Sequence, residues 1–204
     1  MTVAILCSAE QRQELEHGVM QGLKCIWADS MRSLQIIEAE IFIDLLFEPD
    51  AERIRQLNKL RGLVVVNSVV HTASELKVNF ARVAGWPTLL KRSTLEIALS
   101  ADSQENLLIE SGLPYTLVPD VKGLITPRII AMIINEAYFA LHDGVSSREN
   151  IDTAMKTGTN YPYGPFEWSA KIGESHIAEL LLALNRTAPR YALAPHFENF
   201  HSRS

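Results

Sequence analysis

The stretch from Gly123 to Gly144 reads GLITPRIIAMIINEAYFALHDG, and the rest of the chain is parsed outward from it. Ile125, Ile129, Ile130, Met132, Ile133, Ile134, Ala137, Phe139, Ala140 and Leu141 cover most of the circumference of one long helix, Leu124–His142. Its polar residues Arg128, Asn135 and His142 recur every seven positions and make one narrow stripe. A helix this apolar needs cover nearly all round, from other helices or from a second subunit. Gly144 supplies its stop. Downstream, Ser146 and Glu149 have the spacing of a capping box for a helix over Asn150–Thr157, which Gly158 ends. Gly164-Pro165 opens the next helix, because proline suits a first helical turn, and Gly173 closes it. Ser175–Asn185 is a last amphipathic helix, and Ala188–Ser204 has little periodicity.

Upstream, the pattern changes near Val118-Pro119-Asp120. Short apolar runs at Thr2–Cys7, Leu23–Trp27, Ile41–Phe47, Leu63–Val66, Arg82–Ala84, Thr94–Ala98 and Tyr115–Val118 read as strands. Glu10–Met20, Glu52–Leu60 and Ser103–Ser111 read as helices between them. Apolar strands alternating with helices specify a parallel sheet buried on both faces. The chain therefore divides into an α/β domain, residues 1–118, and an all-α domain, residues 119–204.

Composition narrows the function. Of 204 residues, 47% are apolar and 21% charged, which suits a packed globular chain. A net charge of −5 argues against a dedicated nucleic-acid binder. No apolar run is long enough for a membrane span. Met1–Leu6 lacks a basic region and enters a strand pattern directly, so no signal peptide and a cytoplasmic location are expected. Cys7 and Cys25 read as buried free thiols rather than a disulfide. No His, Cys, Asp or Glu set has metal-ligand spacing, so no metal is expected. Ser8 lies in no nucleophile elbow, which removes hydrolase chemistry.

The helical half is more specific. Asn135-Glu136-Ala137, Gly144-Val145, Ile151-Asp152-Thr153-Ala154-Met155-Lys156, Gly158 and Tyr161-Pro162-Tyr163-Gly164-Pro165-Phe166-Glu167 resemble, in order and spacing, the C-terminal domain of 3-hydroxyacyl-CoA dehydrogenases. Ala39–Glu48 looks like that family's strand under the nicotinamide half of the cofactor, and Leu63–Ser68 like the strand before its Asn-Thr-Ser-Ser turn. The resemblance implies a shortened Rossmann-like parallel sheet followed by the family's helical domain. It also implies NAD-dependent oxidation of a 3-hydroxyacyl-CoA, in which a histidine takes the hydroxyl proton, a glutamate orients it, and an asparagine and a serine hold the substrate oxygen.

Position by position, the resemblance is incomplete. The family's His-Phe-Phe-Asn-Pro aligns so that Ala84 takes the histidine's place, while Glu96, twelve residues on, takes the orienting glutamate's. Glu96 is either the relic of that dyad or a polar residue ending a strand. Gly123-Leu124-Ile125-Thr126-Pro127-Arg128 keeps the family's arginine as Arg128, but Pro127 replaces its asparagine. The turn serine aligns near Ser68 or Val69. The Gly-x-Gly-x-x-Gly turn is replaced by Cys7-Ser8-Ala9-Glu10-Gln11-Arg12. Its side chains block close approach of a pyrophosphate, and Glu10 repels it. Asp29 is one candidate for the ribose acid. His71 is a loop histidine or a replacement base, and His142 reads as hydrogen-bonded structure. Tyr161–Phe166 with Trp168 is a packed loop or an aromatic acyl pocket.

The residues thus nominate Glu96 for catalysis, and Arg128 and Ser68 for substrate binding. No residue is nominated for tight cofactor binding, and NAD enters by resemblance alone. Two functions follow: a 3-hydroxyacyl-CoA dehydrogenase-like protein of fatty-acid metabolism with impaired or no NAD-dependent activity, or a non-catalytic member that binds acyl-CoA or dimerises. The long helix predicts a homodimer made by the helical domains.

Overall fold

The computed structural model describes residues 1–100, 104–198 and 200. The chain forms two compact units, Met1–Leu124 and Ile125–Ser204.

In the first unit the order is β1 (Val3–Leu6), α1 (Ala9–Glu16), β2 (Cys25–Ala28), α2 (Met31–Ile36), β3 (Ile41–Asp44), α3 (Ala51–Leu57), β4 (Leu63–Asn67), α4 (Ala73–Leu76), β5 (Ala81–Val83), β6 (Leu95–Ala98), α5 (Glu105–Ser111) and β7 (Tyr115–Leu117). The described strands make one sheet in the order β2-β1-β3-β4-β5-β6-β7. Every pairing is parallel except that of β5 with β6. Side chains alternate across a strand. Val3, Ile5, Ile41, Ile43 and Val65 therefore enter one core layer, and Ala4, Leu6, Phe42, Val64 and Val66 the other. Burial on both faces is why these strands read as unbroken apolar runs. Because β1 has β2 on one side and β3 on the other, the chain reverses its winding at β1 and β3, which opens a crevice at their C-terminal ends.

Two short helices, α2 and α4, were not visible in the periodicity. Ser30 and Thr72 cap them, each with its hydroxyl accepting an amide three residues on, from Ser33 at 3.2 Å and Glu75 at 3.1 Å. The helix expected from Ser103 is described from Glu105, Ser103 itself lying outside the described residues. The division between units falls after the expected residue 118. Val118 N–H donates to Ile97 O at 2.9 Å and Gly123 N–H to Val69 O at 2.7 Å, holding this segment to the sheet.

The second unit contains α6 (Thr126–His142), α7 (Arg148–Thr159), α8 (Pro165–Ile172), α9 (Glu174–Asn185), a 3-10 turn at Pro189–Tyr191, and α10 (Pro195–Glu198). The cap of α7 is Ser147 rather than Ser146: its Oγ accepts the Asn150 amide at 3.3 Å. The helix runs through Gly158 and stops at Asn160, whose φ is 56°. Asp152 of α7 accepts the Phe166 and Glu167 amides at 2.8 and 3.1 Å, so it caps α8 from a neighbouring helix. A Cβ at Gly164 would stand 2.2 Å from Asp152 Cγ, so only glycine fits there. The tail is tied across α6. Asn135 Nδ2 donates to Ala192 O and Ala194 N–H donates to Asn135 Oδ1, both at 2.8 Å. α6 is not covered all round within this chain. Ile130, Ala131, Ile134 and Tyr138 are buried, but Ile125 and Ile129 are 48% and 53% exposed.

Candidate functional site

The crevice at the C-terminal ends of β1 and β3 is bridged by hydrogen bonds from the chain's own side chains. Ser8 caps α1: Gln11 N–H donates to Ser8 Oγ at 3.2 Å, and Ser8 N–H donates to Gln11 Oε1 at 2.9 Å. Gln11 Nε2 then reaches Leu45 O at 3.4 Å and Gly85 O at 3.5 Å, spanning the ends of β3 and β5. Asn67 completes the closure, donating to Leu45 O at 3.3 Å and accepting the Gly85 amide at 3.1 Å. A Cβ at Gly85 would lie 2.7 Å from Asn67 Cγ. Ser8 Oγ donates to Glu10 Oε2 at 2.8 Å. The Glu10 backbone amide and this hydroxyl lower the Glu10 carboxyl pKa, so it is ionised at neutral pH. A dinucleotide's pyrophosphate needs unencumbered amides at this helix start and no negative charge beside them. The residues present do not fit that group.

The nominated residues of this unit lie along the same sheet edge. Asn67 pairs with Val83, and Val83 with Ile97. One step further, Ala84 N–H donates to Glu96 O at 3.1 Å. Cross-strand partners share a face. Ala84 and Glu96 are therefore neighbours, both buried. Ser68 follows β4, and its hydroxyl donates to His71 O at 2.8 Å. Beneath that turn lies Arg82, which is fully buried. It donates to Ser68 O at 2.7 Å, His71 O at 3.0 Å, Val121 O at 2.9 Å and Asp120 Oδ1 at 2.5 Å. Burial pushes the Arg82 pKa down against the raising effect of Asp120. Asp29 follows β2, where its carboxylate accepts the Ser30 and Ser33 hydroxyls at 3.0 and 2.7 Å. At the end of β3, Asp44 takes both Arg53 contacts at 2.7 Å, with burial pushing its carboxyl up.

Arg128 belongs to the second unit. Its Nη1 lies 3.5 Å from Tyr191 Oη, and Arg190 donates to the same oxygen at 2.5 Å. Both arginines line an apolar groove of about 630 Å³, with Ile129, Met132, Ile133 and Met155 among its walls. Behind α6, Tyr138 Oη donates to Glu174 Oε1 at 2.6 Å, and the Tyr138 ring stacks on His196 at 4.1 Å. His196 Nε2 lies 3.0 Å from Glu174 Oε2. Tyr161 and Tyr163 tilt against Trp168 at 5.5 and 6.2 Å, packing the loop before α8.

Sequence reasoning missed Gln11, Asn67, Arg82 and the Tyr138–Glu174–His196 cluster. Only Gln11 had a local signal, since Ser8-x-x-Gln11 is itself a capping box.

The chain thus sets a wound α/β unit before a helical unit in which Asp152 joins two helices. Residues 123–200 match the family described as 3-hydroxyacyl-CoA dehydrogenase, C-terminal domain. The chain is 33% identical over 132 residues to 3-hydroxyadipyl-CoA dehydrogenase of Escherichia coli K12, an alignment covering 61% of this chain and 28% of that protein. It is 45% identical over 56 residues to 3-hydroxybutyryl-CoA dehydrogenase of Clostridioides difficile, covering 28% of this chain and 20% of the relative. The chain thus spans less than a third of either relative. The fold of (S)-3-hydroxybutyryl-CoA dehydrogenase from Ralstonia eutropha superposes with a TM-score of 0.72 at 17% identity, covering 97% of this chain and 92% of that one. Residues 123–200, the helical part of the chain, thus carry the match to that family's C-terminal domain. No helix among the described residues is long and apolar enough to cross a membrane.

Proposed function

We propose that this chain is a 3-hydroxyacyl-CoA dehydrogenase-like protein of fatty-acid metabolism with negligible NAD-dependent turnover. In this reading it serves as an acyl-CoA-binding or dimerising member of the family. The observation that carries it is the closed sheet edge, where Gln11 bridges Leu45 O and Gly85 O and Ser8 caps α1. Ala84 beside Glu96 adds to it. Loss of a general base alone typically costs about 10² to 10⁴ in rate. The acyl-CoA class is supported by the relatives' names, which specify 3-hydroxyadipyl-CoA and 3-hydroxybutyryl-CoA. A cytoplasmic setting belongs to the same proposal.

The test is a calorimetric titration of the full chain with NADH and, separately, with acetoacetyl-CoA. Binding of the CoA ester without NADH supports the proposal. Tight binding of both, with steady-state turnover near one per second, the low end for working enzymes, overturns it.

We infer also that the helical units pair two copies of the chain. The exposed Ile129 on α6 and Ile125 just before it support this, and a two-fold contact is the commonest way to cover such a face. An obligate interface of this kind buries about 2,000 Å² or more in total. Light scattering at micromolar concentration that gave a monomer mass would refute it.

A further inference from the structure

Pro87 and Thr88 are the central pair of a tight turn in which Leu89 N–H donates to Trp86 O at 3.1 Å. Pro87 fixes its own φ on the negative side, and Thr88 has a φ of 76°, so the turn is of type II. The third position of such a turn suits glycine, and a β-branched residue there is strained. Thr88 is held in that form from α1: its N–H donates to Glu14 Oε1 and Oε2, each at 2.9 Å. Glu14 lies three residues after Gln11, whose side chain reaches Gly85 O. Just past the helix end, a Cβ at Gly18 would stand 2.9 Å from Leu90 O. Gln11, Glu14 and Gly18 have the spacing of one helical stripe, so the segment from Gly85 to Leu90 runs lengthwise along it. Its far end is anchored by packing, Leu90 sharing a buried cluster with Leu15 and Val19. At its near end the Gly85 amide and carbonyl are held by the side chains of Asn67 and Gln11.

We propose that Glu14 is a clamp that keeps the Trp86–Leu89 turn strained, and that this turn is the part of the crevice's closure that lets go first. When Thr88 leaves Glu14 its backbone relaxes and Gly85 is drawn off Gln11 and Asn67. The bridge across the sheet edge then opens while the strands stay paired. Strained backbone persists only where its surroundings over-determine it, and it gathers at clamps and switch segments. The proposal rests on the closed crevice of the proposed function. Its readouts involve neither NADH nor a CoA ester, so either reading can fail without the other.

Residue-resolved hydrogen exchange of the full chain tests it, with Thr88→Gly, Glu14→Ala and the double variant beside the wild type. Glycine takes this φ without strain, so Thr88→Gly should slow exchange of the Gly85 amide about tenfold. Glu14→Ala should speed the same amide about tenfold, although Asn67, its own acceptor, is untouched. In the Glu14→Ala background Thr88→Gly should change that rate by less than about threefold, because the turn has already relaxed. The Ala84 amide, which donates to Glu96 O, should stay protected in every variant. An equal effect of Thr88→Gly in both backgrounds would show that Glu14 does not hold the strain, and overturns the proposal. A Gly85 amide indifferent to Thr88→Gly, or one that exchanges together with Ala84 as the whole sheet opens, overturns it too.

Discussion

The amide of Ala84 donates to the carbonyl oxygen of Glu96 at 3.1 Å, so the two residues are cross-strand neighbours. The Ala84 methyl therefore lies beside Glu96, and both are buried. Ala84→His should set an imidazole against Glu96, yet turnover on a 3-hydroxyacyl-CoA should stay far below about one per second, because Gln11 and Ser8 still close the crevice. The added volume should cost about 1–3 kcal/mol of stability. Steady-state NADH formation measures the first outcome and urea unfolding the second.

Gly164 and Gly158 should respond oppositely to alanine. At Gly164 the new Cβ would meet Asp152 Cγ at 2.2 Å and push its carboxylate off the Phe166 and Glu167 amides. Gly164→Ala should therefore destabilise the helical unit by about 2 kcal/mol or more. At Gly158, inside α7, nothing lies within 4 Å of the added carbon. Gly158→Ala should stabilise by up to about 1 kcal/mol. Thermal unfolding of both variants decides the sign in each case.

Arg82→Met should cost about 3 kcal/mol or more, since it removes one partner of a buried ion pair and strips donors from Ser68 O, His71 O and Val121 O. Arg82→Lys should recover only a minor part, because one ammonium cannot reproduce a planar fork aimed at four acceptors. Hydrogen exchange should show the Ser68–His71 turn losing protection in both variants.

Glu174 gives the helical unit a pH dependence. Its burial works to raise the carboxyl pKa, but hydrogen bonds from Tyr138 and His196 outweigh that, and the folded value lies below the ordinary 4.5. A carboxyl with a lowered folded pKa adds stability that is fully present above its unfolded value and is lost as pH falls through the folded one. Stability should thus fall with acidification below about pH 4.5. In Tyr138→Phe the stability at neutral pH should be lower and this acid-side loss shallower. Urea midpoints from pH 3 to 7 would show both.

The strands were legible because burial on both faces writes them as unbroken apolar runs, Leu63 to Val66 most clearly. The helices α2 and α4 were not, since six and four residues are too few for a helical period to emerge. Ser146 and Ser147 are alike to a capping rule, and only the fold chose Ser147. Order in the tail comes from distant partners: Asn135 is 57 residues from Ala192, and Glu174 is 22 from His196. Arg82 sat inside a strand pattern with its carboxylate partner 38 residues away, and no local signal announced it. At the crevice, the absence of glycine was readable, whereas the hydrogen bonds by which Gln11 and Asn67 bridge it were not.

The joint between α7 and α8 is made within one short span, Asp152 reaching amides 14 and 15 residues ahead over a glycine with no room for a substitute. Because one carboxylate serves both helices, α7 and α8 cannot part without leaving two amides and a buried carboxylate unpaired together, so they should open as one unit.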